Sequence, residues 1–241
     1  MSVSNLFKKS SQLFLDVIFP PYCVSCRTTG QWLCENCLNL ISLVTNSFCQ
    51  HCGTPLSTGH ADRCQRCCTQ PLKSIDGIRA AAHFEKNPIR EAIHALKYEN
   101  HRALPGILSQ LLAEAYQRFG LKADTILPIP LHHLRHKERG YNQSELLARE
   151  LGQKLGLPVN CRSLKRTRHT KVQVDLPAVE RYQNVAEAFV CSDRELSDQR
   201  VLLIDDVCTT GATMDACAAA LKLAGVKSVW GLALARASIS S

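Results

Sequence analysis

Between residues 75 and 235 the chain alternates short apolar runs with longer mixed stretches. The segments 78–84 (IRAAAHF), 125–130 (TILPIP), 159–164, 189–191 and 227–235 read as strands. The windows 88–98, 103–119 and 142–155 read as helices, and Gly156 stops the last of them. Residues 201–213, VLLIDDVCTTGAT, carry the clearest pattern. Four apolar residues make a buried strand, Asp205 and Asp206 end it, and a small-residue loop leads into a helix over 214–224. Strands separated by helices predict an α/β fold with an open, mostly parallel sheet flanked by helices.

Such a sheet binds its ligand outside the carboxyl ends of its strands. The loop at Thr209, Thr210, Gly211, Ala212 and Thr213 would aim backbone N–H groups at an anion, aided by the positive end of the following helix. Asp205 and Asp206 are wrong for phosphate but suit sugar hydroxyls or a hydrated Mg²⁺. A phosphate cradle beside a diol-binding acid pair describes a sugar phosphate, and 5-phosphoribosyl-1-pyrophosphate (PRPP) has that combination.

The first seventy residues follow another pattern. Of the 13 cysteines, nine precede residue 69, eight of them in four CxxC knuckles: Cys23/Cys26, Cys34/Cys37, Cys49/Cys52 and Cys64/Cys67. Two such knuckles close one tetrahedral Zn(Cys)₄ site, so the chain should hold two structural Zn²⁺ ions. Sequential pairing of the knuckles is simplest, and crossed pairing stays open on spacing alone. A disulfide module would call for export, and a redox dithiol would need a βα context that is missing. Cys161, Cys191 and Cys217 read as small buried apolar residues, and Cys68 as a neighbour of the second site.

The expected organisation is a double zinc-ribbon module over 1–70 and a second domain over 71–241. The opening segment has Lys8 and Lys9 ahead of an apolar run, but Asp16 interrupts it and no cleavage site follows. It reads as an amphipathic helix docking through Leu6, Leu13 and Val17. No run is long enough to span a membrane, and a cytoplasmic location is expected.

The chain holds 29 Lys and Arg against 21 Asp and Glu, a formal +8. Loading eight thiolates with two Zn²⁺ lowers this to about +4, with the surplus in residues 71–241. Basic side chains cluster at Arg135, Lys137 and Arg139, and again at Arg162, Lys165, Arg166, Arg168 and Lys171. Both clusters flank loops expected at the ligand site, which suits polyphosphate and permits nucleic acid. No aromatic residues interleave with them to stack bases.

VLLIDDVCTTGAT resembles the PRPP signature of type I phosphoribosyltransferases. With LPIPLHHLRHKERGYNQSELLARELG at 127–152, LKRTRHTKVQVDLPAVERYQNV at 164–185 and the four knuckles, the chain resembles the ComF family. These are competence-associated, phosphoribosyltransferase-like proteins with an N-terminal double zinc ribbon. The resemblance implies that Asp205 and Asp206 are the catalytic pair, holding the ribose hydroxyls directly or through Mg²⁺. It implies that residues 209–213 wrap the 5-phosphate, with Gly211 allowing close backbone approach. A pyrophosphate loop would open at Leu131 and His132, with Arg135 and Arg139 neutralising charge. The stretch 166–183 falls where such enzymes have a closing loop. Capping is the rival role for Arg139 and Asn142, and Cys208 reads as a loop thiol open to a lowered pKa.

The implied setting is DNA uptake, with PRPP, single-stranded DNA and other competence proteins as partners. Two classes stay open: an enzyme that displaces pyrophosphate from PRPP with an unknown acceptor, and a non-catalytic protein that handles single strands or responds to PRPP. Six residues follow Ala235, so the zinc module and 71–76 are expected to lie over the acceptor side.

Overall fold

A computed structural model describes residues 20–45, 47–56, 62–85, 87–99, 101, 103–167 and 188–237. The expected N-terminal helix and all but the start of the 166–183 stretch lie outside the described residues. In chain order the elements are α1 (Glu35–Asn39), α2 (Gln65–Thr69), β1 (Gly77–His83), α3 (Pro88–Tyr98), α4 (Leu104–Arg118), β2 (Thr125–Pro128), α5 (His133–Arg139), α6 (Gln143–Leu155), β3 (Leu164–Arg166), β4 (Phe189–Cys191), β5 (Arg200–Cys208), α7 (Ala212–Leu223) and β6 (Ser228–Arg236).

The main sheet is parallel throughout, in the order β1-β6-β5-β2. β5 sits inside it and is buried on both faces. Leu202 and Ile204 enter the core shared with α3, α4 and α6, while Val201 and Leu203 enter the core shared with α7, β3 and β4. A strand covered on both sides must be apolar at every position, which is why 201–204 is so plain in the sequence. The helices begin and end where their caps dictate. The Asn87 side chain accepts the Ile89 N–H at 2.9 Å with Pro88 in the first turn, and Gly156 closes α6 in the left-handed region.

Three expectations change. The strand expected over 159–164 does not form. Val159 makes a single parallel bridge to Ile126, and β3 starts only at Leu164, antiparallel to β4. The Asn160 side chain accepts the N–H groups of Arg162 and Ser163 at 3.0 and 3.1 Å, a local turn that breaks the run. Conversely, α5 forms where the sequence reads as loop. It buries no residue, so it has no apolar stripe to announce it. Of the three isolated cysteines, Cys217 is fully buried as expected, whereas Cys161 and Cys191 are partly exposed.

The cysteine-rich region straddles the β1 edge. Residues 41–44 run antiparallel to β1, with Val44 N–H to Ala81 O at 3.0 Å and His83 N–H to Ser42 O at 2.8 Å. This caps an edge that would otherwise invite a foreign strand. Cys23, Leu33 and Cys37 join the α3/α4 core, and Cys49, Cys52 and Cys67 join the α7 core. The following linker is tied down by Asp215 in the first turn of α7. Its carboxylate accepts the N–H groups of Lys73, Ser74 and Ile75 at 3.1, 2.8 and 3.0 Å. Asp215→Ala strands three donors and is expected to cost about 2–4 kcal/mol in urea unfolding, with Asp215→Asn recovering part of it.

Candidate functional site

The eight knuckle cysteines gather into two clusters. Cys23, Cys26, Cys34 and Cys37 form one, and Cys49, Cys52, Cys64 and Cys67 the other, with all sulfurs of a cluster within 4.8 Å of one another. The pairing is therefore sequential. A tetrahedron with Zn–S bonds of about 2.3 Å has sulfur–sulfur edges of roughly 3.8 Å. Cys26–Cys34 at 3.5 Å and Cys52–Cys64 at 3.6 Å fit that ion. All 13 thiols are free of disulfides.

At the carboxyl ends of β5 and β2 lies a cavity of about 290 Å³, walled by α3, α5, the start of α6 and β3. Asp205 and Asp206 form its floor. Ser144 Oγ donates to Asp205 Oδ1 at 2.8 Å, and the Asp206 N–H reaches the same oxygen at 2.9 Å. Burial, and next the charge of Asp206, push the Asp205 carboxyl up to about 7, against the opposing pull of Ser144. Lys97, from the end of α3, pairs with Asp206 Oδ1 at 2.9 Å. The other Asp206 oxygen, Oδ2, is buried and has no partner. A buried carboxylate oxygen without a donor, in a residue that lines a cavity, suits a hydroxyl or a hydrated cation.

The segment 139–144, RGYNQS, builds this floor residue by residue. Arg139 donates to Gln143 Oε1 at 3.0 Å and lies over the Tyr98 ring, 5.0 Å from its centroid. The Tyr141 hydroxyl donates to the Leu96 carbonyl, next to Lys97. Asn142 caps α6 through Ser144 N–H at 3.0 Å and donates to the Ile129 carbonyl at 3.0 Å. Capping and cavity lining thus fall to different residues: Asn142 caps, while Arg139 lines.

The expected ligand residues divide. Leu131, Arg135, Arg139, Asp205, Asp206, Thr209 and Thr213 line the cavity; His132, Thr210, Gly211 and Ala212 do not. His132 is 5% exposed and caps α5, its Nδ1 accepting the Leu134 N–H. Gly211 has φ of +80°, and a Cβ there would lie 2.7 Å from Ile78 Cδ1 and 3.2 Å from Leu72 Cδ1. Backbone conformation, and packing against β1 and the linker, are therefore reasons for a glycine here that hold whether or not a ligand approaches. Cys208 ends β5 and is buried, and burial pushes its thiol up to about 11, the reverse of the lowering expected for a loop thiol. Arg236 Nη1 donates to its sulfur at 2.7 Å.

Sequence reasoning missed Lys97 and Ser144, which stand far from Asp205 in the chain. It placed Arg166 in a basic cluster without assigning it to the site, yet Arg166 lines the cavity from β3 with its guanidinium 5.5 Å from the Phe189 ring. The zinc region touches the loop that follows β5: Arg66 Nη1 donates to the Thr210 carbonyl at 2.9 Å, a contact that does not bear on the acceptor side.

The double zinc ribbon domain model matches residues 14–68, and the phosphoribosyl transferase domain model matches residues 94–237. Competence protein F of Haemophilus influenzae is 34% identical, covering 88% of this chain and 96% of that protein. DNA utilization protein YhgH of Escherichia coli K12 is 31% identical over 81% of this chain and 88% of that one. Competence protein ComFC of Streptococcus pneumoniae is 27% identical over 87% and 90%. Among solved structures, adenine phosphoribosyltransferase from Thermoanaerobacter pseudethanolicus is 20% identical over 58% of this chain and 83% of that chain, with a TM-score of 0.35. A zinc-ribbon pair ahead of a phosphoribosyl transferase domain, with likeness to a competence protein F over most of both chains, makes this chain a member of the ComF family.

Proposed function

We propose that the protein binds PRPP in the cavity at the ends of β5 and β2 and works in DNA uptake as a phosphoribosyltransferase-type protein. The observation that carries this reading is the acid pair Asp205 and Asp206, with Asp206 Oδ2 buried and unpartnered, lining a cavity that also collects Arg135, Arg139 and Arg166. Asp205 and Asp206 would hold the ribose hydroxyls. Thr209 and Thr213, with the N–H groups of 209–213, would take the 5-phosphate. Leu131 and the three arginines would flank the pyrophosphate. The acid pair fits a hydrated Mg²⁺, which when bound would help neutralise the pyrophosphate. In a transfer, the acceptor's nucleophilic atom bonds to C1 while the bond from C1 to the pyrophosphate oxygen breaks, and the electron pair of that bond leaves with pyrophosphate. The guanidinium groups would stabilise that departing charge, and the carboxylates the positive ribose ring.

The names of the relatives, two competence proteins and a DNA utilization protein, support the DNA-uptake setting. Single-stranded DNA and other competence proteins are the partners proposed. A module over 1–70 and a phosphoribosyltransferase-like domain over 71–241, in the cytoplasm, complete the reading; no helix of the described residues is long and apolar enough to cross a membrane. One observation favours a second, non-catalytic reading. α5 buries nothing and carries Arg135, Lys137 and Arg139 against one acid, Glu138, a net positive helix suited to a phosphate backbone.

Calorimetry with PRPP and Mg²⁺ tests both readings. Binding is expected, and it should strengthen from about pH 6 to about pH 8 as Asp205 gives up its proton. The same raised carboxyl lowers fold stability as pH climbs from about 4, its unfolded value, to about 7, because the native state then holds the extra proton. Ser144→Ala, losing a donor to the carboxylate, should move the binding midpoint upward while the ligand's own ionisation stays the same. Absence of PRPP binding overturns the proposal. Pyrophosphate release with a base, amine or nucleic acid supports transfer, and binding without release for all of them supports the second reading.

A further inference from the structure

The second zinc cluster holds a side chain at the phosphate loop. Arg66 lies between Cys64 and Cys67 in α2, so the two thiolates fix its backbone whenever the metal is bound. Its Nη1 donates to the carbonyl of Thr210 at 2.9 Å, across 144 residues of chain. In a trans peptide the C=O of one residue and the N–H of the next point in opposite directions. Holding the Thr210 carbonyl toward the ribbon therefore turns the Gly211 N–H away from it. A loop that cradles an anion needs its N–H groups on one side and its carbonyls on the other.

One further contact fastens the same loop to the same ribbon, and two more tie it to the linker that follows the ribbon. At its start, Arg236 bridges Cys208 Sγ at 2.7 Å and Thr54 Oγ1 at 2.6 Å, two residues after the ligand Cys52. In its middle, Leu72 lies in the space a side chain at Gly211 would need. Beyond it, Asp215 grips the linker at 73–75. The first ribbon packs elsewhere among the described residues, against α3 and α4 and with the Trp32 ring 4.7 Å from that of His101.

We infer that Arg66 is a positioning residue for the phosphate loop, through which the second zinc ribbon, and not the first, sets the peptide orientation at Thr210–Gly211. The inference rests on the reading of 209–213 as the cradle for the 5-phosphate.

Three full-length, zinc-loaded variants test it: Arg66→Ala, Arg66→Lys and Arg63→Ala, the last removing an equal charge from the same ribbon. Calorimetry with PRPP and amide hydrogen exchange of 209–213 without ligand are the readouts. Arg66→Ala should bind PRPP about tenfold more weakly, the loss expected for one charged hydrogen bond. It should also exchange faster at 209–213 while keeping its zinc content and melting temperature. Arg66→Lys should recover part of both, and Arg63→Ala should match the parent. Unchanged affinity and exchange in Arg66→Ala, or an equal loss in Arg63→Ala, overturns the inference. If the parent protein binds no PRPP, the phosphate-cradle reading fails instead, and the exchange of the ligand-free variants alone decides whether Arg66 orders the loop.

Discussion

Replacing Cys49 and Cys52 with serine will unfold the second ribbon and carry the β1 side of the sheet with it. A structural Zn(Cys)₄ site contributes on the order of 10 kcal/mol, comparable to the whole stability of a typical domain. Here the loss is not confined to the ribbon. The Ile78 N–H donates to the His51 carbonyl at 2.8 Å, and the Arg79 guanidinium donates to the Gln50 carbonyl at 2.9 Å. Both β1 residues are buried, so an unfolded knuckle strands their donors. The parent should bind two zinc ions per chain by elemental analysis, and the double serine variant one, with a melting transition that is lost or greatly lowered. Cys23→Ser with Cys26→Ser should also reduce the count to one. Parent protein with a single zinc, or a Cys49/Cys52 variant that melts like the parent, would contradict this account.

Lys97→Met will destabilise the protein by about 3–5 kcal/mol near neutral pH, because it leaves an uncompensated charge in a closed site. The Asp206 side chain is 5% exposed and that of Lys97 21%, so water reaching the vacated position compensates only part of the lost partner. The penalty has a defined pH dependence. Lys97 lowers the Asp205 carboxyl, so its removal drives that group further above its usual range. The cost is then largest above about pH 7 and shrinks as the pH falls and the acid pair takes up a proton. Adding Asp206→Asn to Lys97→Met should return much of the stability, since the charge left behind is gone. PRPP binding should fall in both variants. A Lys97→Met protein whose unfolding in urea is unchanged at pH 8 would show that the pair contributes nothing. This outcome is independent of what the cavity binds, so it tests the electrostatics of the site separately from its function.

Much of this molecule is legible one residue at a time. The eight metal-ligating cysteines were identifiable because two-residue spacing is a local geometric requirement of a tetrahedral ion. The strand at 201–204 was identifiable because a strand buried on both faces tolerates no polar position. Other features had no local sign. The helix α5 buries nothing, so it lacks the periodicity that exposes a helix in sequence. The run at 159–164 looks like a strand until Asn160 takes two backbone N–H groups into a turn. Gly211 reads as room for a ligand, and its φ and the side chains of Ile78 and Leu72 add a conformational and packing reason that spacing does not show.

The sequence by itself determined the local chemistry: two tetrathiolate sites, an acid pair at the end of a buried strand, and a small-residue loop at the start of a helix. Each depends on spacing within a few residues, and spacing is a property of the chain. Only the tertiary structure decided which groups face that acid pair. Lys97 and Ser144 arrive from α3 and α6, and Arg166 from β3, because the sheet order brings those elements to one end. Charge pairing across such distances follows from topology, and it leaves no periodicity to read.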